Sequence, residues 1–148
     1  MKRLHIHISV DDIEANISFY SALFASEPSV VKPDYAKWML TDPKVNFAIS
    51  SKGSKPGLDH LGIQVESDDE LSEINTCLSK AALPVIEQKG TACCYAESDK
   101  YWTQDPQGIP WEAFHSLSTV PVFGGKPDLE MKAESSSCCS PSFKGKCS

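Results

Sequence analysis

The chain has 148 residues, of which 41% are hydrophobic and 23% charged, and its formal net charge is −6. These values predict a single globular domain with a proper core, and the acidic balance argues against a nucleic-acid partner. No window approaches the length of a membrane span, and the N-terminus lacks the long apolar core of a signal peptide. We therefore expect a cytoplasmic protein with no membrane partner.

The first fifty residues predict a strand, a helix and then three short strands. Residues 4–10 alternate between apolar and polar side chains, which predicts a strand with His5 and His7 on the face away from the helix layer. A helix begins at Asp11 or Asp12. The strands that follow are short and bounded by turn residues; they cover residues 30–31, 35–40 and 45–50.

The same order of elements then repeats. Residues 58–65 predict a strand, and Ser67 with Glu70 forms a capping box that begins a second helix. Cys77 lies on the apolar stripe of that helix, where we expect a buried side chain. The remaining extended pieces cover residues 85–88, 94–96, 100–104 and 109–114. The echo predicts two modules, at about residues 1–52 and 57–116, within one domain over residues 1–116.

After Ser116 the composition changes. Residues 117–148 are rich in Ser, Pro, Gly and Lys without any period, which predicts a disordered tail. This tail carries Cys138, Cys139 and Cys147. A domain of this size folds without disulfides, so these cysteines favour free thiols that meet a soft metal or metalloid.

Three residues of metal-ligand type lie on predicted strands near the ends of the modules: His5, His60 and Glu112. Two imidazoles and one carboxylate match the facial arrangement of non-haem Fe(II) oxygenases, although the same ligands also hold Mn(II), Zn(II) or Ni(II). Glu112 is the most informative, because a carboxylate between Trp111 and Phe114 is costly to bury unless it is paired or metal-bound. His7 and His115 are reserve candidates with supporting or structural roles.

Two adjacent cysteines, Cys93 and Cys94, precede this carboxylate. Soft thiols followed by a hard carboxylate suggest a site in which sulfur holds a soft substrate beside a metal ion. Adjacent side chains on a regular strand point to opposite faces, so the two thiols can hold one soft atom together only where the backbone is irregular or mobile. Gly90 and the polar residues 96–100 are compatible with a mobile loop.

The duplicated pattern, with a His opening each half and a Glu in the closing DPQGIPWE strand, resembles the vicinal oxygen chelate superfamily over residues 1–116. The resemblance implies an α+β fold in which two βαβββ modules form a curved mixed sheet around a metal site. The segments LHIHISV, GLDHLGIQVES and TACCYA resemble most closely the organoarsenical C–As lyases. In that family the metal is Fe(II), which implies His5, His60 and Glu112 as ligands and Cys93 and Cys94 as the arsenic-binding pair.

This resemblance implies an Fe(II)-dependent dioxygenase that uses dioxygen to cleave trivalent organoarsenicals, such as methylarsenite or aromatic arsenicals, and releases arsenite. Other divalent metals can substitute for Fe(II). Further residues have accessory roles in this hypothesis: His7, Tyr95, Lys100, Tyr101, Cys138 and Cys139. The sequence leaves open whether the two modules pair within one chain or across a homodimer.

Two alternatives remain at this point. One is another metal-dependent resistance enzyme of the same fold, either a thiol transferase or a glyoxalase-like enzyme. Glyoxalase I, however, uses an additional carboxylate from the first half, and the corresponding strand VNFAIS contains neither Asp nor Glu. The other alternative is a non-enzymatic protein that binds arsenic or cadmium through its thiols.

Overall fold

The computed structural model describes residues 1–52, 55–93 and 95–119, which hold eight strands and two helices. In chain order these elements are β1 (Arg3–Ser9), α1 (Ile13–Phe24), β2 (Val30–Lys32), β3 (Tyr35–Thr41), β4 (Lys44–Ser50), β5 (Gly57–Val65), α2 (Asp68–Lys80), β6 (Ile86–Cys93), β7 (Ala96–Gln104) and β8 (Pro110–Thr119). The tail cysteines and Cys94 lie outside the described residues. Neither helix in the described ranges is long and apolar enough to cross a membrane.

All eight strands form one mixed sheet in the order β2-β3-β4-β1-β5-β8-β7-β6. In the first module β1 pairs in parallel with β4, and in the second β5 pairs in parallel with β8. The remaining pairs within each module are antiparallel. The antiparallel pair β1–β5 joins the two modules at the centre of the sheet. The predicted α+β fold with two βαβββ modules and a curved mixed sheet is therefore confirmed.

Helix α1 begins at the second of the two predicted positions. The side chain of Asp12 is the N-cap, and its Oδ1 accepts a hydrogen bond from the Ala15 amide at 2.9 Å. The helix packs against the first module's half of the sheet through one aromatic and aliphatic cluster. Its buried members are Val10, Ile13, Ala36, Trp38, Phe47 and Ile49.

Helix α2 confirms Ser67 as the N-cap, because Ser67 Oγ accepts a hydrogen bond from the Glu70 amide at 3.2 Å. The reciprocal half of the capping box differs from the prediction, since Glu70 Oε2 accepts from the Glu66 amide at 2.9 Å. The expectation for Cys77 was wrong, since its side chain is exposed. Leu71 is the buried residue of the helix, and Cys77 follows it by six positions, about 120° around the helix axis. The cysteine therefore points away from the face that packs on the sheet.

Two expectations for the next segment differ from the structure: Tyr95, inside the predicted strand over residues 94–96, lies in a turn, and Gly90 lies in a strand. Strands β6 and β7 form one antiparallel hairpin whose closing pair is Cys93 and Ala96. Gly90 adopts a φ of 57° at an irregularity in the pairing, and its amide donates a hydrogen bond to Asp99 Oδ1 at 2.7 Å. The glycine thus marks a bulge in a strand rather than a loop.

Replacing Trp38 with alanine tests how much the first cluster stabilises the fold. Trp38 is fully buried, and its Nε1 donates to the Ser26 carbonyl at 3.0 Å. We expect Trp38→Ala to lower the free energy of unfolding by about 3–5 kcal/mol in urea denaturation. Phe19, which is 60% exposed, is the matched control, and Phe19→Ala should cost less than about 1 kcal/mol. Equal losses in the two variants would contradict this view of the core.

Candidate metal centre

The register of the central strands brings the predicted ligands together. His5 of β1 pairs with Gly62 of β5, and Gly62 in turn pairs with Glu112 of β8. His7 and His60 form the neighbouring cross-strand pair between β1 and β5. His5, His60 and Glu112 therefore lie on one face around a glycine, although they are distant in sequence.

Gly62 is required at this position by the close approach of Glu112. A β-carbon on Gly62 would lie 2.5 Å from the carbonyl oxygen of Glu112 and 2.7 Å from its Cγ. Both distances are shorter than any van der Waals contact. The missing side chain thus leaves the space that the Glu112 side chain uses to reach the two histidines.

The three side chains offer their ligand atoms in a compact triangle. His5 Nε2 and His60 Nε2 are 3.2 Å apart, and each lies 3.3 Å from Glu112 Oε1. Three atoms with this spacing share a point that is about 2.1 Å from each of them, which is a normal metal–nitrogen bond length. All three residues are at least 95% buried. The donor set therefore fits a divalent metal ion.

Each of these side chains is oriented by a second contact. His5 Nδ1–H donates to the Asn46 carbonyl at 2.9 Å, and His60 Nδ1–H donates to Asp59 Oδ2 at 2.6 Å. Lys100 Nζ donates to Glu112 Oε2 at 3.1 Å. Contacts of this kind fix the tautomer and direction of metal-binding side chains. They leave both Nε2 atoms and Oε1 turned towards one another.

The charges of the cluster are strongly coupled. Burial opposes ionisation of Glu112, but Lys100, His60 and His5 outweigh it and hold the pKa of the carboxyl well below its usual range. Burial also opposes protonation of His60, but Glu112 and Asp59 outweigh it and raise its pKa to about 9. Burial lowers the pKa of His5 to about 4. The site thus holds an ionised carboxylate. Either a proton on His60 or a metal ion can supply the positive charge beside its Oε1.

The reserve histidines take different positions. His7 lies on the same face, and its ring offers a nitrogen within 4.8 Å of ligand atoms on His5 and His60. Its Nε2, however, is hydrogen-bonded to Ser50 Oγ at 2.8 Å. His115 lies on the opposite face, where Nδ1 contacts Asp68 Oδ1 at 2.8 Å. His7 therefore borders the site, whereas His115 does not.

A cleft opens above the triangle of ligand atoms. Tyr35 and Phe114 supply apolar surface, Lys37 and Lys100 supply positive charge, and Ala96 of β7 borders the cleft. Ala96 is also the pairing partner of Cys93. The thiol-bearing end of the β6–β7 hairpin is therefore adjacent to the cleft. The Cys93 side chain and all of Cys94 lie outside the described residues.

Two further predicted accessory residues, Tyr95 and Tyr101, lie in different parts of the structure. Tyr95, which follows Cys94, adopts a φ of 62°, so the backbone next to the cysteine pair is irregular. Tyr101 lies on the other face of the sheet and packs against the second core cluster of Val65, Leu71 and Ala113. It does not reach the cleft.

Sequence reasoning missed Gly62 and Asp59. An isolated glycine inside a strand pattern indicates close backbone approach, and that signal could have identified Gly62. Asp59 carries no such signal, because an acidic residue before a histidine is common. Its role depends on the register shift between His7 and Ile8, which only the folded sheet defines.

A family model described as the Glyoxalase/Bleomycin resistance protein/Dioxygenase superfamily matches residues 2–113. The chain belongs to this superfamily, as its resemblance to the vicinal oxygen chelate proteins predicted. It is 39% identical to the "Trivalent organoarsenical cleaving enzyme" of a Bacillus species, over 95% of this chain and 92% of that protein. It is 36% identical to "Cadmium-induced protein CadI" of Mycobacterium bovis, over 94% of this chain and 93% of that protein.

Among solved structures, the fold is similar to that of an extradiol ring-cleaving dioxygenase from B. fuscum. The TM-score is 0.60 at 16% identity, and the match covers 80% of this chain and 33% of that longer chain. At this identity the likeness concerns the fold alone. The metal site is supported by the family together with the histidine cluster.

Substitution of His5, His60 or Glu112 tests the candidate ligand set. We expect His5→Ala, His60→Ala and Glu112→Gln each to weaken the affinity for a divalent metal ion by more than about 100-fold, the upper limit for loss of an outer-shell partner. Anaerobic equilibrium dialysis measures this. His115→Ala is the matched control on the strand that carries Glu112, and it should bind metal as the wild type does. Wild-type affinity in any of the three variants would remove that residue from the ligand set.

Gly62→Ala tests the steric requirement between β5 and β8. The new methyl group meets a backbone oxygen that cannot rotate away, so the strands must separate and displace Glu112. We expect the affinity for a divalent metal ion to fall by at least about tenfold, together with a lower melting temperature. Unchanged metal affinity in a folded Gly62→Ala variant would show that the carboxylate does not need this space.

Proposed function

We propose that this protein is an Fe(II)-dependent dioxygenase that cleaves the carbon–arsenic bond of trivalent organoarsenicals and releases arsenite. The observation that carries the proposal is the convergence of His5, His60 and Glu112 beside the end of the hairpin that bears Cys93 and Cys94. The proposal assigns the divalent metal to the three side chains and the arsenic to the cysteine pair at the neighbouring end of the hairpin.

The relatives support the substrate class. The Bacillus protein that is 39% identical over nearly the whole chain is named for cleavage of trivalent organoarsenicals. The match covers 95% of this chain and 92% of that protein. Methylarsenite and trivalent aromatic arsenicals are the substrates that we propose on this basis.

His5, His60 and Glu112 would hold the iron, which supplies redox chemistry with dioxygen when it is bound. Lys100 occupies Glu112 Oε2, so the carboxylate presents Oε1 to the site. Trp102 and Phe114 flank Lys100 at 5.7 Å from its Nζ to each ring centroid, and both rings are buried. These groups keep the carboxylate ionised and exclude water from it.

Cys93 and Cys94 would bind the arsenic. Each sulfur forms a bond to arsenic as its thiol proton leaves with a hydroxide ligand of the arsenical, which releases one water per thiol. This exchange fixes the arsenic at the cleft, so its carbon substituent is held next to the metal-binding residues. Holding both reactants in one place lowers the entropic cost of the reaction.

The glyoxalase-like alternative is disfavoured by one position. In the internal repeat, Gly62 of the second module corresponds to His7 of the first, and Glu112 corresponds to Ala48. A carboxylate ligand from the first half would have to lie at Ala48, which is a buried alanine. In the described part of the chain, the position equivalent to Glu112 thus lacks a ligand.

Turnover of methylarsenite tests the proposal directly. We expect anaerobically Fe(II)-loaded protein to release arsenite only when oxygen is admitted, as measured by chromatography with arsenic detection. Cys93→Ser and Cys94→Ser should each abolish this release, because one thiolate holds trivalent arsenic poorly. Cys77→Ser is the matched control, since that thiol is exposed on α2, and it should react as the wild type does.

Absence of oxygen-dependent arsenite release would overturn the proposed reaction. The thiol-binding alternative makes a different prediction. A sequestering protein should lose protection of cells when residues 117–148 and their cysteines are deleted, whereas an enzyme of the proposed kind should retain turnover.

A further inference from the structure

Tyr95, at the turn of the β6–β7 hairpin, contacts the first module. Tyr95 lies between the strands of the β6–β7 hairpin, next to Cys94, and its hydroxyl donates a hydrogen bond to Asp34 Oδ1 at 2.6 Å. Asp34 lies in the turn between β2 and β3 of the first module. The contact therefore joins two strand turns that are 61 residues apart in sequence.

Several other groups of the first module converge on the same contact. Lys52 Nζ lies 2.7 Å from Asp34 Oδ2, so both carboxylate oxygens are engaged. Lys32 Nζ lies 5.3 Å from the centroid of the Tyr95 ring, a cation–π distance. The ring of Tyr35, which borders the cleft, lies 5.6 Å from the ring of Tyr95. The aromatic ring of Tyr95 is thus contacted by Lys32 and Tyr35, and its hydroxyl by Asp34.

The Asp34 carboxylate is maintained in its charged form by these partners. Burial opposes its ionisation, but the hydrogen bonds from Lys52 and Tyr95 outweigh burial and lower its pKa. A hydrogen bond from a phenol to an ionised carboxylate is stronger than one between neutral groups. The contact is therefore more than an incidental meeting of two surface turns.

The backbone of the turn also points to an imposed conformation. Tyr95 has a φ of 62°, in the left-handed region that bulky residues rarely adopt. Such a conformation persists where the surroundings determine it. Strand β6 lies at the edge of the sheet and pairs only with β7 among the described strands, so the sheet restrains this hairpin from one side. The contacts of Tyr95 supply a second restraint at the hairpin end.

We propose that Asp34, supported by Lys52, is a positioning residue that holds Tyr95 and thereby fixes the adjacent cysteine pair at the cleft for trivalent arsenic. This role rests on the proposed function of the cysteines. Asp34 does not touch the arsenical; it acts through Tyr95. Because Asp34 and Lys52 come from the first module, that module would supply one histidine, His5, to the metal site and would also align the thiols of the second module.

The test uses three variants of the full-length protein: Tyr95→Phe, Asp34→Ala and the variant that combines both substitutions. Each is compared with Tyr101→Phe. Tyr101 is the matched control on the same hairpin, since its hydroxyl also donates to a carboxylate, Glu87 Oε1 at 3.1 Å. That carboxylate is likewise paired with a lysine, Lys89, at 3.2 Å. The two tyrosines differ in that Tyr101 lies on the face away from the cleft.

Two measurements report on the positioning of Cys93 and Cys94. The first is the rate of iodoacetamide alkylation at Cys93 and Cys94, resolved by peptide mapping, with exposed Cys77 as internal reference. The second is the KM for methylarsenite in the Fe(II)-loaded enzyme. Loss of the Tyr95–Asp34 hydrogen bond should raise both by about ten- to 100-fold, the range for a hydrogen bond to a charged group. Fe(II) affinity should stay unchanged.

The pattern across variants identifies the contact. Tyr95→Phe and Asp34→Ala should have similar effects, and the double variant should be no worse than either, because both remove one interaction. Tyr101→Phe should match the wild type. If the Tyr95 and Asp34 variants alkylate and turn over as the wild type does, the positioning role is overturned.

Failure of the proposed reaction can be distinguished from failure of this inference. A wild-type protein that releases no arsenite, but whose Cys93 and Cys94 become more reactive in the Tyr95 and Asp34 variants, would retain the positioning contact and lose the enzymatic assignment. Normal turnover with unchanged thiol reactivity in every variant would retain the enzymatic assignment and overturn the positioning role of Asp34. An equal loss of Fe(II) affinity in the Asp34 and Tyr95 variants would assign them a general structural role and overturn the inference.

Discussion

The close pairing of β1, β5 and β8 around Gly62 is the constraint on which the rest of the structure depends. These strands bring His5 and Glu112 to either side of a residue without a side chain. Any larger residue would collide with the backbone of Glu112. The duplicated modules, their helices and their outer strands together hold this narrow junction at the centre of the sheet.

The junction has an electrostatic consequence. Glu112 is buried and ionised, a state that is unfavourable in an apolar environment without compensating charge. Lys100 compensates one carboxylate oxygen, and the two histidines surround the other. Since protonated His60 and a bound metal ion would satisfy the same oxygen, metal binding competes with a proton at this site. The chemistry of the cleft thus follows from one carboxylate that must remain charged.

The sequence predicted local features well where a short-range rule applied. The Ser67 cap, the alternation of β1 and the duplicated element order depend on neighbours within a few residues, and the structure confirms them. The errors concern longer-range effects. Cys77 matched an apolar stripe, yet the sheet covers only the side of α2 that carries Leu71. Gly90 resembled a loop residue, yet pairing with β7 turned its segment into a bulged strand.

The sequence by itself determined the family, the two-module fold and the kinds of side chain available for a metal and for a soft ligand, because those properties are carried by motifs and periodicity. Only the tertiary structure decided that His5, His60 and Glu112 meet within 3.3 Å while His115 faces the other side. It also decided that Tyr95 reaches Asp34 in the other module. The physical reason is register: a shift of one residue between strands reverses every side chain, and no local pattern encodes the pairing of strands from different modules.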